Sequence, residues 1–145
     1  MRVIFKFFGV LGMVGWSVAA LVSAGQAGDR SEFTSSVAVP ISSDGVQRAQ
    51  ITVDSYSFSP NHLVVESGKP VELTLMSVTT VTPHNFLIKD SAGGLSVEQD
   101  VGAGKTVTAK FVPTQPGHFL FFCDKRLWPM RNHRDKGMEG LLEVK

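Results

Sequence analysis

The sequence is poor in the residues that would staple, charge or anchor it. It contains a single cysteine, Cys123, among 145 residues, so no internal disulfide can form. Charge of one sign is also missing, with 14 Lys and Arg against 13 Asp and Glu. Nucleic-acid recognition calls for a strongly basic surface, so that class of function is excluded. No apolar run reaches the roughly 20 residues needed to cross a bilayer. The chain has no internal repeat, no long helical apolar period, no glycine-rich phosphate loop and no nucleophile–base pair. A catalyst acting alone is therefore not expected.

What is present begins with an address. Arg2 and Lys6 precede a short apolar run from Val10 to Ala20, followed by small-residue cleavage sites at Val22-Ser23-Ala24 and Gly25-Gln26-Ala27. This pattern predicts an export signal over residues 1–27, with an uncleaved anchor as the competing reading. Both place the rest of the chain outside the cytoplasmic membrane, in the periplasm or beyond. Without those residues, and so without Arg2 and Lys6, 12 basic residues face 13 acidic ones. The remaining 118 residues suffice for one domain and are too few for two. Residues 28–48, polar and rich in Ser and Gly, predict a linker with a short strand near Val37 to Ile41. The domain proper is expected over 49–145.

That domain alternates with a period of two. Leu63 and Val65 share a face, as do Val71, Leu73 and Leu75, then Phe86 and Ile88, then Val107, Ala109 and Phe111. Turn residues separate these runs at Ser67-Gly68-Lys69-Pro70, Gly93-Gly94, Gly102-Ala103-Gly104 and Pro116-Gly117. Seven or eight short strands without a long helix predict an all-β fold, an antiparallel β-sandwich. Residues 124–137 break the rhythm and predict a long loop or a short helix. Met76 is expected as core filler, and His62 and His118 as strand-face residues without a special role.

In an oxidising compartment a lone thiol is a liability unless something occupies it. Parity puts Cys123 on the same face as Phe119 and Phe121, so the thiol leaves its strand from the inward side. His84 likewise shares a face with Phe86 and Ile88, and a ring on an inward face needs a polar partner. A metal would supply one. After Cys123 come His133 and Met138, on a loop that returns to a final strand. A thiolate, two imidazoles and a distant thioether form the donor set of a mononuclear copper site that shuttles electrons. Met130 competes with Met138 for the thioether position.

The order His…Cys…His…Met, with Pro83-His84-Asn85 opening one strand and Pro116-Gly117-His118-Phe119-Leu120-Phe121-Phe122-Cys123 closing another, resembles the cupredoxins from about Gln50 to the C-terminus. The resemblance implies a Greek-key sandwich binding one copper ion. It also implies His84, Cys123 and His133 as strong ligands, Met138 as the long axial one, and Asn85 as a tie between the ligand loops. Nine residues separate Cys123 from His133, more than in plastocyanin- or azurin-like members. This spacing is closer to the type 1 site of copper nitrite reductases, whose two-domain length and second histidine set the chain lacks. The loop carries Lys125, Arg126, Arg131, Arg134 and Lys136 against Asp124 and Asp135, a local excess of +3. It reads either as a solvated loop or as a face steering an acidic redox partner, with Leu127 and Trp128 at its centre. The expected molecule is a monomeric one-electron carrier. Copper storage or delivery, or a copper-bearing subunit of a larger oxidoreductase, are the alternatives.

Overall fold

The computed structural model describes Phe33 and residues 36–145; the expected export signal lies outside the described residues. Ten strands build two facing sheets: β1 Val37–Ala38, β2 Gln47–Asp54, β3 Ser57–Ser59, β4 His62–Val65, β5 Val71–Ser77, β6 His84–Asp90, β7 Leu95–Val101, β8 Thr106–Phe111, β9 Gly117–Phe122 and β10 Glu139–Val144. One sheet runs β1-β4-β10-β9-β6-β7 and the other β3-β2-β5-β8. The only helical element among the described residues is a 3₁₀ turn, Arg134–Lys136, within the long loop.

The sandwich predicted by the alternation is present, and burial follows its parity. In β5, Val71, Leu73 and Leu75 are fully buried while Glu72 and Thr74 are not. In β9, Phe119 and Phe121 point inward and His118 and Leu120 outward. Strand count and direction differ from the expectation. The alternation predicts seven or eight strands, but β1 and β3 are too short to display a period. The pairs β1/β4, β4/β10 and β2/β5 are parallel rather than antiparallel. The chain leaves β2 through β3, crosses to the other sheet as β4, and returns as β5 in its original direction. A crossover of that kind makes neighbours parallel, whereas a hairpin would make them antiparallel. Within 28–48, Val37–Ala38 joins the edge of the six-stranded sheet and Ile41 bridges to Gln47. Met76 does not fill the core: it lies on the outward face of β5, its sulfur 3.9 Å from Gln50 Nε2.

The centre of the sandwich is aromatic. Phe86 stacks on Phe121 with centroids 5.0 Å apart, and Phe58 meets both rings edge-on at 6.0 and 5.3 Å. Such pairs add roughly 0.5–1.5 kcal/mol each beyond the area they bury. Phe86 lies two residues after His84 and Phe121 two before Cys123, so the trio forms the floor beneath both. Phe121 fits because its register partner is Gly140. A Cβ on Gly140 would overlap the Phe121 ring and stand 2.6 Å from the Asn61 carbonyl oxygen.

Candidate metal centre

Three strand ends meet at one end of the sandwich. His84 opens β6, Cys123 follows the last residue of β9, and β9 lies between β6 and β10 in the sheet. The two strands are antiparallel, so the start of β6 comes beside the end of β9. Met138 immediately precedes β10, and His133 sits on the loop between β9 and β10. That loop is closed by main-chain bonds. Cys123 N–H donates to Met138 O at 3.1 Å, Met138 N–H to His133 O at 3.1 Å, and His133 N–H to Lys125 O at 2.9 Å. The 3₁₀ turn ends at Gly137, whose φ of 90° turns the chain into β10.

The candidate donors converge. His84 Nδ1 lies 3.9 Å and His133 Nδ1 3.3 Å from Cys123 Sγ, and the two imidazole centroids are 5.0 Å apart. One ligand atom from each residue falls within 4.8 Å of the others. His84, Cys123 and Met138 are fully buried, and His133 is 3% exposed. Met138 is therefore held under the loop with its main chain bonded to both Cys123 and His133. Met130 is 47% exposed and is not part of the buried core. Neither His62 nor His118 joins the cluster; His62 lies 3.4 Å from Glu143 and His118 faces outward on β9.

The electrostatics suit a cation. Burial, aided by His133 nearby, lowers the pKa of His84 to about 4. Burial and then the Lys136 ammonium lower that of His133. Both rings are thus neutral and able to donate at physiological pH. Burial raises the Cys123 pKa, against the opposing main-chain N–H groups of Asn85 and Lys125, so the metal-free site carries a thiol. The Nε2 atom of His84 is buried without a hydrogen-bond partner. Its Nδ1 has only the long contact to sulfur, so the ring is short of polar neighbours. An ion between the sulfur and the two Nδ1 atoms would give His84 Nδ1 a partner and leave Nε2 as the ring N–H. Two imidazoles and a thiolate, with a thioether on the residue whose main chain bonds to Cys123 and His133, are the donors that suit copper in both oxidation states.

Asn85 joins the two ligand segments. Its main-chain N–H points at Cys123 Sγ at 3.4 Å. Its side chain donates to Asp124 Oδ1 at 2.8 Å and accepts the Asp124 N–H at 3.0 Å. The bond from Asn85, with help from Lys89 at 3.3 Å, holds the Asp124 carboxyl below the usual range. The resemblance to the cupredoxins implied Asn85 as a tie but left its partner, Asp124, unassigned.

Tyr56 escaped sequence reasoning altogether. It sits in the turn between β2 and β3 at a φ of 67°, yet its ring packs edge-on against His133 with centroids 5.1 Å apart. The Lys136 ammonium lies 4.0 Å from the Tyr56 ring centroid. An isolated tyrosine in a turn gives no local signal of either contact.

Around this end of the sandwich the loop is cationic and apolar at its tip. Trp128 is 83% exposed, with Leu127 and Met130 beside it. Lys125 pairs with Asp100 and Arg134 with Glu139. Among the described residues, Arg126, Arg131 and Lys136 form no ion pair with an acid. No described helix is long and apolar enough to cross a membrane.

Residues 15–137 match the family model described as the cupredoxin-like domain. No curated protein matches the chain. Solved structures with the same fold include the metal-binding domain of the Streptococcus pneumoniae D39 Cu(I)-exporting P-type ATPase CopA with Cu(I). It is 19% identical with a TM-score of 0.58, over 76% of this chain and 95% of that one. Auracyanin A, a blue copper protein from Chloroflexus aurantiacus, is 21% identical with a TM-score of 0.54, over 70% and 100%. The copper-containing nitrite reductase of Thermus scotoductus SA-01 is 19% identical with a TM-score of 0.52; 76% of this chain corresponds to 28% of that enzyme.

Proposed function

The chain belongs to the cupredoxin-like family, and from its buried donor cluster we propose that it is an exported one-electron carrier holding one copper ion. His84 Nδ1, Cys123 Sγ and His133 Nδ1 would be the strong ligands and Met138 the weak fourth. The observation that carries this is the convergence of both Nδ1 atoms on one buried sulfur, at 3.9 and 3.3 Å. Copper bound there supplies a one-electron couple that needs no bond to form or break in a substrate. The residues do the rest. The three strand ends hold the donors in a fixed arrangement, the Asn85–Asp124 pair keeps two of them together, and the aromatic floor excludes water.

A second reading is a module for copper storage or delivery, and the similarity to the CopA metal-binding domain invites it. The burial of His84, Cys123, His133 and Met138 favours the carrier, because donors closed off from solvent exchange their ion slowly. A copper-bearing subunit of a larger oxidoreductase would use the same site. As a carrier the protein transforms no substrate of its own, works in the periplasm or outside the cell, and meets its partner as a monomer. Arg126, Arg131 and Lys136, which form no ion pair with an acid among the described residues, favour with exposed Leu127 and Trp128 a partner with an acidic docking face.

The test is the visible spectrum of the exported domain with copper(II), beside Cys123→Ser. An intense thiolate-to-copper band that disappears in the variant is expected. A colourless protein, or colour untouched by the substitution, would refute the ligand assignment. Rapid surrender of copper to a weak chelator would favour delivery.

A further inference from the structure

His133 sits on the external loop between β9 and β10, yet it is almost completely buried. Tyr56 lies against it, with ring centroids 5.1 Å apart at an interplanar angle of 71°. Tyr56 also holds a φ of 67°, a backbone region that bulky residues rarely occupy and that costs on the order of 1–3 kcal/mol. Such strain persists only where surrounding packing determines it. Here the ring packs against the core and His133 on one side, and the Lys136 ammonium stands 4.0 Å from its centroid. Among the described residues, no main-chain hydrogen bond joins the turn between β2 and β3 to the loop between β9 and β10. Its aromatic ring is nevertheless what meets the imidazole.

We propose that Tyr56 is a positioning residue, a cover over His133 that keeps water and reagents from the imidazole and holds the ring toward Cys123. This rests on the reading of His133 as a copper ligand only for its effect on the loaded site; the cover itself is a property of the metal-free chain. A ligand shell closed to water has a low dielectric and favours the less charged, reduced state of a bound ion. Opening the cover should therefore lower the reduction potential. The ring is responsible and the hydroxyl is not, because the contact is edge-on packing. Tyr56→Phe should accordingly preserve the cover. Tyr56→Gly should remove it while relieving the backbone, since glycine accepts positive φ without cost.

The experiment is acylation of the metal-free protein by diethyl pyrocarbonate, with each histidine followed by peptide mass mapping. His133 should react slowly in the wild type and in Tyr56→Phe, and about tenfold faster or more in Tyr56→Gly, as a locally protected group does when exposed. Exposed His118 should react alike in all three proteins, and buried His84 should stay protected. Unchanged His133 reactivity in Tyr56→Gly, or equal reactivity in Tyr56→Phe and Tyr56→Gly, would overturn the proposal. If glycine loosens the whole fold, His84 will rise with His133. Tyr56→Asn, which also tolerates this backbone conformation, then decides by the same comparison. In copper-loaded protein the reduction potential should fall in Tyr56→Gly and hold in Tyr56→Phe. A wild type without a thiolate–copper band would refute the copper reading, while the acylation rates would still judge Tyr56.

Discussion

Replacing Asn85 by Ala tests the link between fold and site most directly. The substitution removes two hydrogen bonds, the 2.8 Å bond to Asp124 Oδ1 and the 3.0 Å bond from Asp124 N–H. A bond to a charged group is worth about 1.5–3 kcal/mol and a neutral one about 1. Asp124 reaches solvent, so water replaces part of both, and a net loss of about 2 kcal/mol remains. For a domain of this size that lowers the melting temperature by about 8 °C. The loss should depend on pH. Asn85 depresses the Asp124 pKa, so its contribution is complete above the ordinary carboxylate pKa and disappears as pH falls through the depressed one. Chemical denaturation of the metal-free wild type and Asn85→Ala, at neutral pH and in acid, should give a gap that narrows in acid, where only the bond from the Asp124 N–H is left to lose. The Asn85 N–H that faces Cys123 Sγ belongs to the main chain and survives, so the copper band should remain while copper leaves faster. A neutral-pH difference below about 0.5 kcal/mol, within the range of ordinary surface changes, would refute the clamp. So would a gap of equal size in acid.

Three further outcomes are expected. The folded-state pKa of His84 is lowered to about 4, so the unfolded chain binds the extra proton first. That contribution to metal-free stability is complete above the unfolded pKa of about 6.5, falls as pH drops toward 4, and is flat below; His84→Gln should lack this slope in denaturation measured across the window. Because the metal-free site holds a thiol and two neutral imidazoles, copper binding at neutral pH should release about one proton, read in weakly buffered indicator solution; release near zero would mean that the thiol is not a ligand. Gly140→Ala should cost about 1–3 kcal/mol by thermal melting, because its Cβ meets the Phe121 ring and the Asn61 carbonyl; a neutral result would show that β10 can move away from β9.

The sequence alone determined the class of fold and named the candidate donors. A period of two reports, residue by residue, which face of a strand is buried, so the inward rows of β4, β5 and β9 could be read without knowing their neighbours, whereas β6 is buried on both faces over its first five residues. The same parity aimed His84 and Cys123 inward, and donor chemistry then singled out His133 and Met138 from a loop that has no period at all. Tertiary structure decided everything that depends on which segments meet. The parallel pairs follow from where the chain crosses between sheets, whereas the outward direction of Met76 follows from the same parity that turns Val71, Leu73 and Leu75 inward. Of the two candidate thioethers, the return of the loop buries Met138 at the start of β10 and leaves Met130 exposed. Asp124 as the partner of Asn85 and Tyr56 as the neighbour of His133 are contacts between residues far apart in the chain. No local pattern encodes such pairs, because each residue alone satisfies the ordinary preferences of a loop or a turn, and only the closing of the sandwich brings them together.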